Sequence, residues 1–155
     1  MRFVIASGEG IDPSGYLAQL PRIAPALPPG ARAFAEAQGH YDLNGPRCVK
    51  DLVLSRVDFD STETEVTLEL RFRHRCGQHV ENLLLRYYGV SGFMLESPEW
   101  SRYGPLLLDE VLPHAHGLSH EIGHQAGSLA VIARDLSASW TASDCPERSS
   151  ALTQA

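Results

Sequence analysis

From Thr64 to Arg73 apolar and polar side chains alternate. Val66, Leu68, Leu70 and Phe72 fall on one face, and Thr67, Glu69, Arg71 and Arg73 on the other. Successive side chains of a strand point to opposite faces, so this period of two predicts a half-buried strand. The preceding run DLVLSRVDF, 51–59, predicts its partner, with the polar DSTE as a hairpin loop. VENLLLRYYGV, 80–90, is apolar on both faces around Leu83–Leu85, which predicts a central strand. Gly89 and Gly92 in GVSGFMLE predict a bend or bulge leading into a fourth strand. LLLDEVL, 106–112, predicts a fifth, and SLAVIARDLSASW, 128–140, a sixth.

The N-terminal third has a different rhythm. Residues 11–30 hold five of the ten prolines, which predicts an irregular lead-in with at most a helical turn around Tyr16–Leu20. ARAFAEAQG, 31–39, predicts one short helix: alanines dominate, Arg32 and Glu36 sit four apart, and Gly39 can stop it. The small, polar residues 141–155 predict a flexible tail. The expected fold is mainly β in the α+β class: an antiparallel β-sandwich or strongly curved sheet with one short N-terminal helix. One domain covers 1–140, with the lead-in and helix in 1–50 and the β core in 51–140.

Composition narrows the function classes. A chain of 155 residues suits one domain, and 43% apolar with 21% charged residues can bury a core. The net charge is −6, and the only basic cluster is Arg71, Arg73 and Arg75, which argues against nucleic acid as partner. No apolar stretch approaches the ~20 residues of a membrane span. The start MRFVIASGEG lacks the pattern of a signal peptide, and its SGEG is only a GxG, short of a phosphate-binding loop. Cys48, Cys76 and Cys145 make no CxxC pair and no even framework, so reduced thiols and a cytoplasmic location are expected.

Chemistry concentrates in HAHGLSHEIGH, 114–124, which holds four of the seven histidines. Within it His120-Glu121-Ile122-Gly123-His124 is an HExxH. On a helix, residues four apart share a face, so His120 and His124 could hold one zinc while Glu121 serves as general base. GLSHEIGHQAG resembles the active-site helix of the metzincin zinc peptidases. Gly127 matches the glycine of that family's HExxHxxGxxH, but Ala130 stands at its third ligand position and no Met-turn follows. Another third ligand could come only from Glu147 in the tail. The rival reading is a hairpin in which His120, Ile122 and His124 alternate with Ser119, Glu121 and Gly123, with QAGS turning. Leu118, Ile122, Ala126, Leu129, Ala133 and Leu136 also trace a helical stripe. Gly117, Gly123, Gly127 and the β-rich surroundings favour the strand. The expectation is an extended segment with Glu121 pointing away from both histidines. The histidines are then polar residues on a wet face, with no cofactor.

Asp109 and Glu110 are adjacent carboxylates, but strand neighbours point to opposite faces, which argues against a shared acid–base role. Cys76 lies beside Arg75 and near His74 and His79, a setting that can lower a thiol pKa, although no second nucleophile signature accompanies it. Trp100 and Tyr103, with His114 and His116, form the candidate contact surface.

KDLVLSRVDF, LLLRYYGVSGF and the closing LLLDEVLPHAHGLSHEI…GSLAVIARDLSASW resemble a loose group of small, uncharacterised bacterial β-rich proteins, some linked with toxin-immunity loci. That resemblance implies a histidine near position 120 at the start of a strand, without a metal role, and carries over no active residues. The first expectation for function is therefore a cytoplasmic, non-enzymatic protein acting by contact with another protein, in the manner of an acidic immunity-type inhibitor. The alternative is a zinc peptidase using His120, Glu121 and His124. A third reading, a small-ligand-binding β domain, would be favoured by a deep apolar cavity.

Overall fold

The computed structural model describes residues 1–96 and 104–146. The chain opens with a small hairpin, β1 (Ile5–Ser7) and β2 (Gly10–Asp12), followed by helix α1 (Ser14–Ile23), a 3-10 turn at Ala24–Ala26 and helix α2 (Pro29–Ala35). The strands β3 (Val53–Ser61), β4 (Val66–Arg73), β5 (Glu81–Tyr88) and β6 (Gly92–Glu96) come next. After them run β7 (Leu106–His114), β8 (Gly117–His124), β9 (Gly127–Ala133) and β10 (Asp135–Ala142). Two four-stranded antiparallel sheets form, in the orders β10-β5-β4-β3 and β6-β9-β8-β7. The mainly β, α+β fold is the expected one.

The two sheets are joined by one folded ribbon. β5 pairs with β10 in the first sheet, and β6 pairs with β9 in the second. Both strands therefore change sheet at the same place. Gly89 takes φ +60 there, Arg134 N–H bonds Tyr88 O at 2.9 Å, and Ser91 N–H bonds Ile132 O at 2.9 Å. Gly89 and the bend it was expected to supply are thus in place. The single sixth strand is corrected: 128–140 breaks at Arg134 into β9 and β10, because the two halves belong to different sheets. β5 is central, as its two-sided apolar run predicts.

Leu68, Leu70 and Phe72 of β4 join Leu83, Leu85 and Tyr87 of β5 in the buried core. Val66, at the start of the same alternation, is exposed instead. Glu69 on the outer face is half-buried between Arg71 and Arg86. Leu68→Ala is expected to destabilise the fold by roughly 2–5 kcal/mol in chemical denaturation, and Glu69→Ala by less than about 1.

The N-terminal third departs from its expectation. The proline-rich lead-in forms α1, with a buried Tyr16 and part-buried Leu20 and Ile23 at helical spacing. The prolines punctuate instead of disrupting: Pro13 is the N-cap of α1, Pro21 lies in its last turn, and Pro28 and Pro29 start α2. The N-cap and first-turn positions tolerate a missing N–H, and Pro21 comes only two residues before α1 ends. The one expected helix, 31–39, is displaced to Pro29–Ala35, so the described residues hold two α-helices. Asp135 accepts the N–H groups of Gly30 and Ala31 at 3.1 and 2.9 Å, pinning α2 to the start of β10. A side chain at position 30 would collide with the Leu136 carbonyl, so only glycine lets α2 approach so closely. Tyr16 and α2 bring the helices onto β7 and β10 at one edge of the sandwich.

Cysteine chemistry also needs correction. Cys76, in the β4–β5 loop, is disulfide-bonded to Cys145, and Cys48 is free and buried. The reduced-thiol expectation fails for that pair because β10 returns beside β5, which brings residues 69 apart in sequence to a Cα separation of 5.4 Å. Residues 141–146 are accordingly held and not loose. β10 runs to Ala142, Ser143 N–H bonds Val80 O at 3.1 Å, and His74 bonds Ser143 O at 2.9 Å. Among the described residues no helix is long and apolar enough to cross a membrane.

Candidate functional site

The HExxH segment is β8, an extended strand, as the hairpin reading required. Four strand residues span about 13 Å against about 6 Å on a helix, so His120 and His124 do not share one point in space. Glu121 faces away from both. Its carboxylate lies 2.7 Å from the Met1 amino group, on the sheet face opposite His120. The metal-helix geometry that the zinc reading needs is therefore not formed.

The wet-face expectation for the histidines is corrected. His120 and His124 are buried, as are His40, His74 and His79; only His114 and His116 are exposed, stacked 5.5 Å apart at the β7–β8 turn. Burial follows from register. Val111 of β7 lies opposite His120 and Asp109 opposite Ile122, so Asp109 and His120 both face into the sandwich. Glu110 faces the other way and accepts the N–H groups of Arg2, Phe3 and Val4 at 2.7, 2.7 and 2.8 Å. The opposite-faces argument for Asp109 and Glu110 thus holds in geometry. Both carboxylates are nevertheless buried, and each anchors a different part of the chain.

Asp109 is the hub of a buried polar chain. One oxygen meets His40 Nε2 at 2.7 Å and the other meets His120 Nε2 at 2.7 Å. His40 Nδ1 lies 2.7 Å from the Phe34 carbonyl, and His120 Nδ1 lies 2.7 Å from the Tyr87 hydroxyl. Proton roles follow from the partners. Both partners of His40 can only accept, so both its nitrogens donate and it is an imidazolium. His120 donates from Nε2 to Asp109, and its Nδ1 shares a hydrogen bond with the Tyr87 hydroxyl. One cation and one anion then balance at full burial.

The electrostatics agree. Burial pushes the Asp109 carboxyl up, but the His40 charge and hydrogen bonds from both imidazoles hold it well below the usual carboxylate range. Burial lowers the His40 pKa, yet Asp109 and the Phe34 carbonyl raise it above its ordinary value overall. His40 also sits just past the C-terminal end of α2, where a cation meets the negative end of the helix dipole and adds a second hydrogen bond to the Phe34 carbonyl. Its ring stacks on Tyr41, centroids 4.2 Å apart, and tilts against Phe34 at 4.3 Å. Burial pushes the phenols of Tyr16 and Tyr41 upward, and Asp109 adds to both.

A sign follows for pH. His40 has a raised folded-state pKa, so its contribution is complete below about pH 6.5, its ordinary value. That contribution fades as pH rises through the raised value. Asp109 has a lowered one, so its contribution holds above about pH 4 and fades on acidification below that. His124 runs the opposite way from His40: burial lowers its pKa, and its effect operates below about pH 6.5. The difference in melting temperature between wild type and His40→Gln should therefore shrink steadily from pH 6 to 9. A difference that stays constant or widens would contradict the imidazolium.

Beside His40 lies a cleft of about 620 Å³, lined on one side by Gly30, Ala33, Phe34 and Ala37 of the α2 region. Ser137, Ala138 and Trp140 of β10 line the other, with Gln38 and Arg47 near the mouth. Small residues create the space: a helix of alanines faces a strand of serine and alanine, and Phe34 and Trp140 supply apolar walls. Arg47 reaches Glu81 through Nε and Nη2 at 2.9 and 3.0 Å. Sequence reasoning missed this cleft, and it missed His40 entirely. The only signal for His40 was its place just after the helix-stopping Gly39.

The other candidates are dispersed. Cys76 is in the disulfide, with His74 Nδ1 accepting its N–H at 3.1 Å, so it is no thiol. Cys48 is fully buried, and burial pushes its thiol up to about 11. Trp100, Tyr103 and Glu147 lie outside the described residues. No protein-family model, curated protein or solved structure matches this chain.

Proposed function

We propose that this protein works by binding, and that it takes a small, largely apolar ligand in the cleft between α2 and β10. The observation that carries the reading is the cleft itself: about 620 Å³, within the ~300–1,000 Å³ typical of small-molecule sites. A second support is the condition of the titratable cluster. His40, Asp109 and His120 are buried and hydrogen-bonded to one another, which leaves them poorly placed to exchange protons with a substrate. They instead fix the α2 end that walls the cleft. The cytoplasmic expectation loses its warrant, since a disulfide suits oxidising surroundings.

Indole, a small neutral aromatic, is a suitable probe. In amide NMR titration it should shift resonances around Phe34, Ala37 and Trp140 at millimolar concentration or below. Ala33→Phe and Ala138→Phe should abolish those shifts while leaving the fold intact, because both alanines are exposed. Shifts scattered over the surface, or unaffected by both variants, would overturn the reading.

A second reading keeps contact with a partner protein, in the manner of an immunity-type inhibitor. Its support is the exposed, stacked His114 and His116 at the β7–β8 tip of an acidic chain. Loss of a stable partner on changing both to alanine, with the cleft intact, would favour it.

A further inference from the structure

We propose that the ligand of the α2–β10 cleft is an anion: a small aromatic carboxylate whose ring lies between Phe34 and Trp140 and whose acid group meets Arg47. This rests on the binding reading above and adds the chemistry of the ligand. The chain is acidic, with nineteen Asp and Glu against thirteen Lys and Arg, yet among the described residues no carboxylate lines the cleft. Among those residues the two lining side chains that carry charge are both cationic, Arg47 and His40.

Their placement is directional. His40 lines the cleft while its counter-ion Asp109 lies deeper, so the buried pair turns its positive end toward the ligand space. Arg47 stands at the mouth with its side chain 54% exposed. Glu81 engages only Nε and Nη2 of a guanidinium that carries five donors. Glu81 thereby orients the planar fork without exhausting it, and a second carboxylate can bind bidentately to what remains. Gln38 at the rim offers an amide to the same group. The apolar body of the ligand is fixed by the walls: Ala33, Ala37 and Ala138 leave a slot, and two aromatic rings border it.

The test compares 3-phenylpropanoate with 3-phenylpropanamide, which share ring and length and differ in charge. Binding is read by calorimetry and by amide NMR on the full chain with its disulfide intact. The acid should bind at least about tenfold more tightly than the amide in low salt, and the preference should weaken as salt screens the charges. Arg47→Ala should reduce the preference to within about threefold without unfolding the protein, since an exposed ion pair contributes little to stability. Glu81→Gln should strengthen the acid's binding by releasing Arg47. Equal binding of acid and amide, with indole still bound in the cleft, would overturn the anion and leave the cleft reading standing. Failure of indole, acid and amide alike would overturn both.

Discussion

Asp109→Ala is expected to lower the melting temperature by roughly 10–15 °C, corresponding to about 3–5 kcal/mol in a domain of this size. Alanine would leave the His40 imidazolium at full burial without its counter-ion and the His120 Nε2–H without an acceptor. Removing one partner of a buried pair costs more than the pair's net worth, because the survivor keeps its desolvation penalty. Asp109→Asn should be milder. Its carbonyl can accept from one histidine and its amide can donate to the other once that ring changes tautomer. The asparagine variant should also lose less toward alkaline pH, as His40 gives up its charge through its raised pKa. Chemical denaturation at pH 6 and pH 9 checks both statements. A cost below about 1 kcal/mol for Asp109→Ala would mean that the cluster carries no charge.

The second large effect is expected from the disulfide. Replacing both Cys76 and Cys145 by serine, or adding reductant, should destabilise the protein by about 2–4 kcal/mol through the loop of roughly 70 residues that the bond closes. The loss should appear first where the bond acts, as faster hydrogen exchange at Ser143 and in the β4–β5 loop. Truncation after Trp140, harmless if the tail were loose, becomes equally damaging, because it removes Cys145 and the end of β10. Melting curves that coincide with and without reductant would contradict this.

Strand pattern and chemistry were unequally legible in the sequence. Alternation over 64–73, the two-sided run at 83–85 and the glycines at 89 and 92 announced the sheets, because strand geometry writes a period of two directly into the residues. The HExxH could be read as a strand because its glycines and neighbours outweighed the motif. α1 was obscured because proline statistics ignore position: at an N-cap or in a first turn the missing N–H has no partner to lose, and Pro21 falls only two residues before the helix ends. The disulfide and the His40–Asp109–His120 cluster were invisible for a common reason. Each joins residues brought together only by sheet pairing: 76 with 145, and 40 with 109 and 120. Asp109 beside Glu110 looked like an ordinary strand pair, and the register that buries one under α2 and the other under residues 2–4 is not local information.

The central claim is that this cluster is a self-contained ion pair that braces the cleft wall and leaves no free base. Nitrogen NMR of the imidazole rings at neutral pH tests it most directly. His40 should show both ring nitrogens protonated, and His120 should show only Nε2 protonated, with a hydroxyl hydrogen bond at Nδ1. A neutral His40 at pH 7, or a His120 ring nitrogen open to solvent, would contradict the account and restore a titratable site.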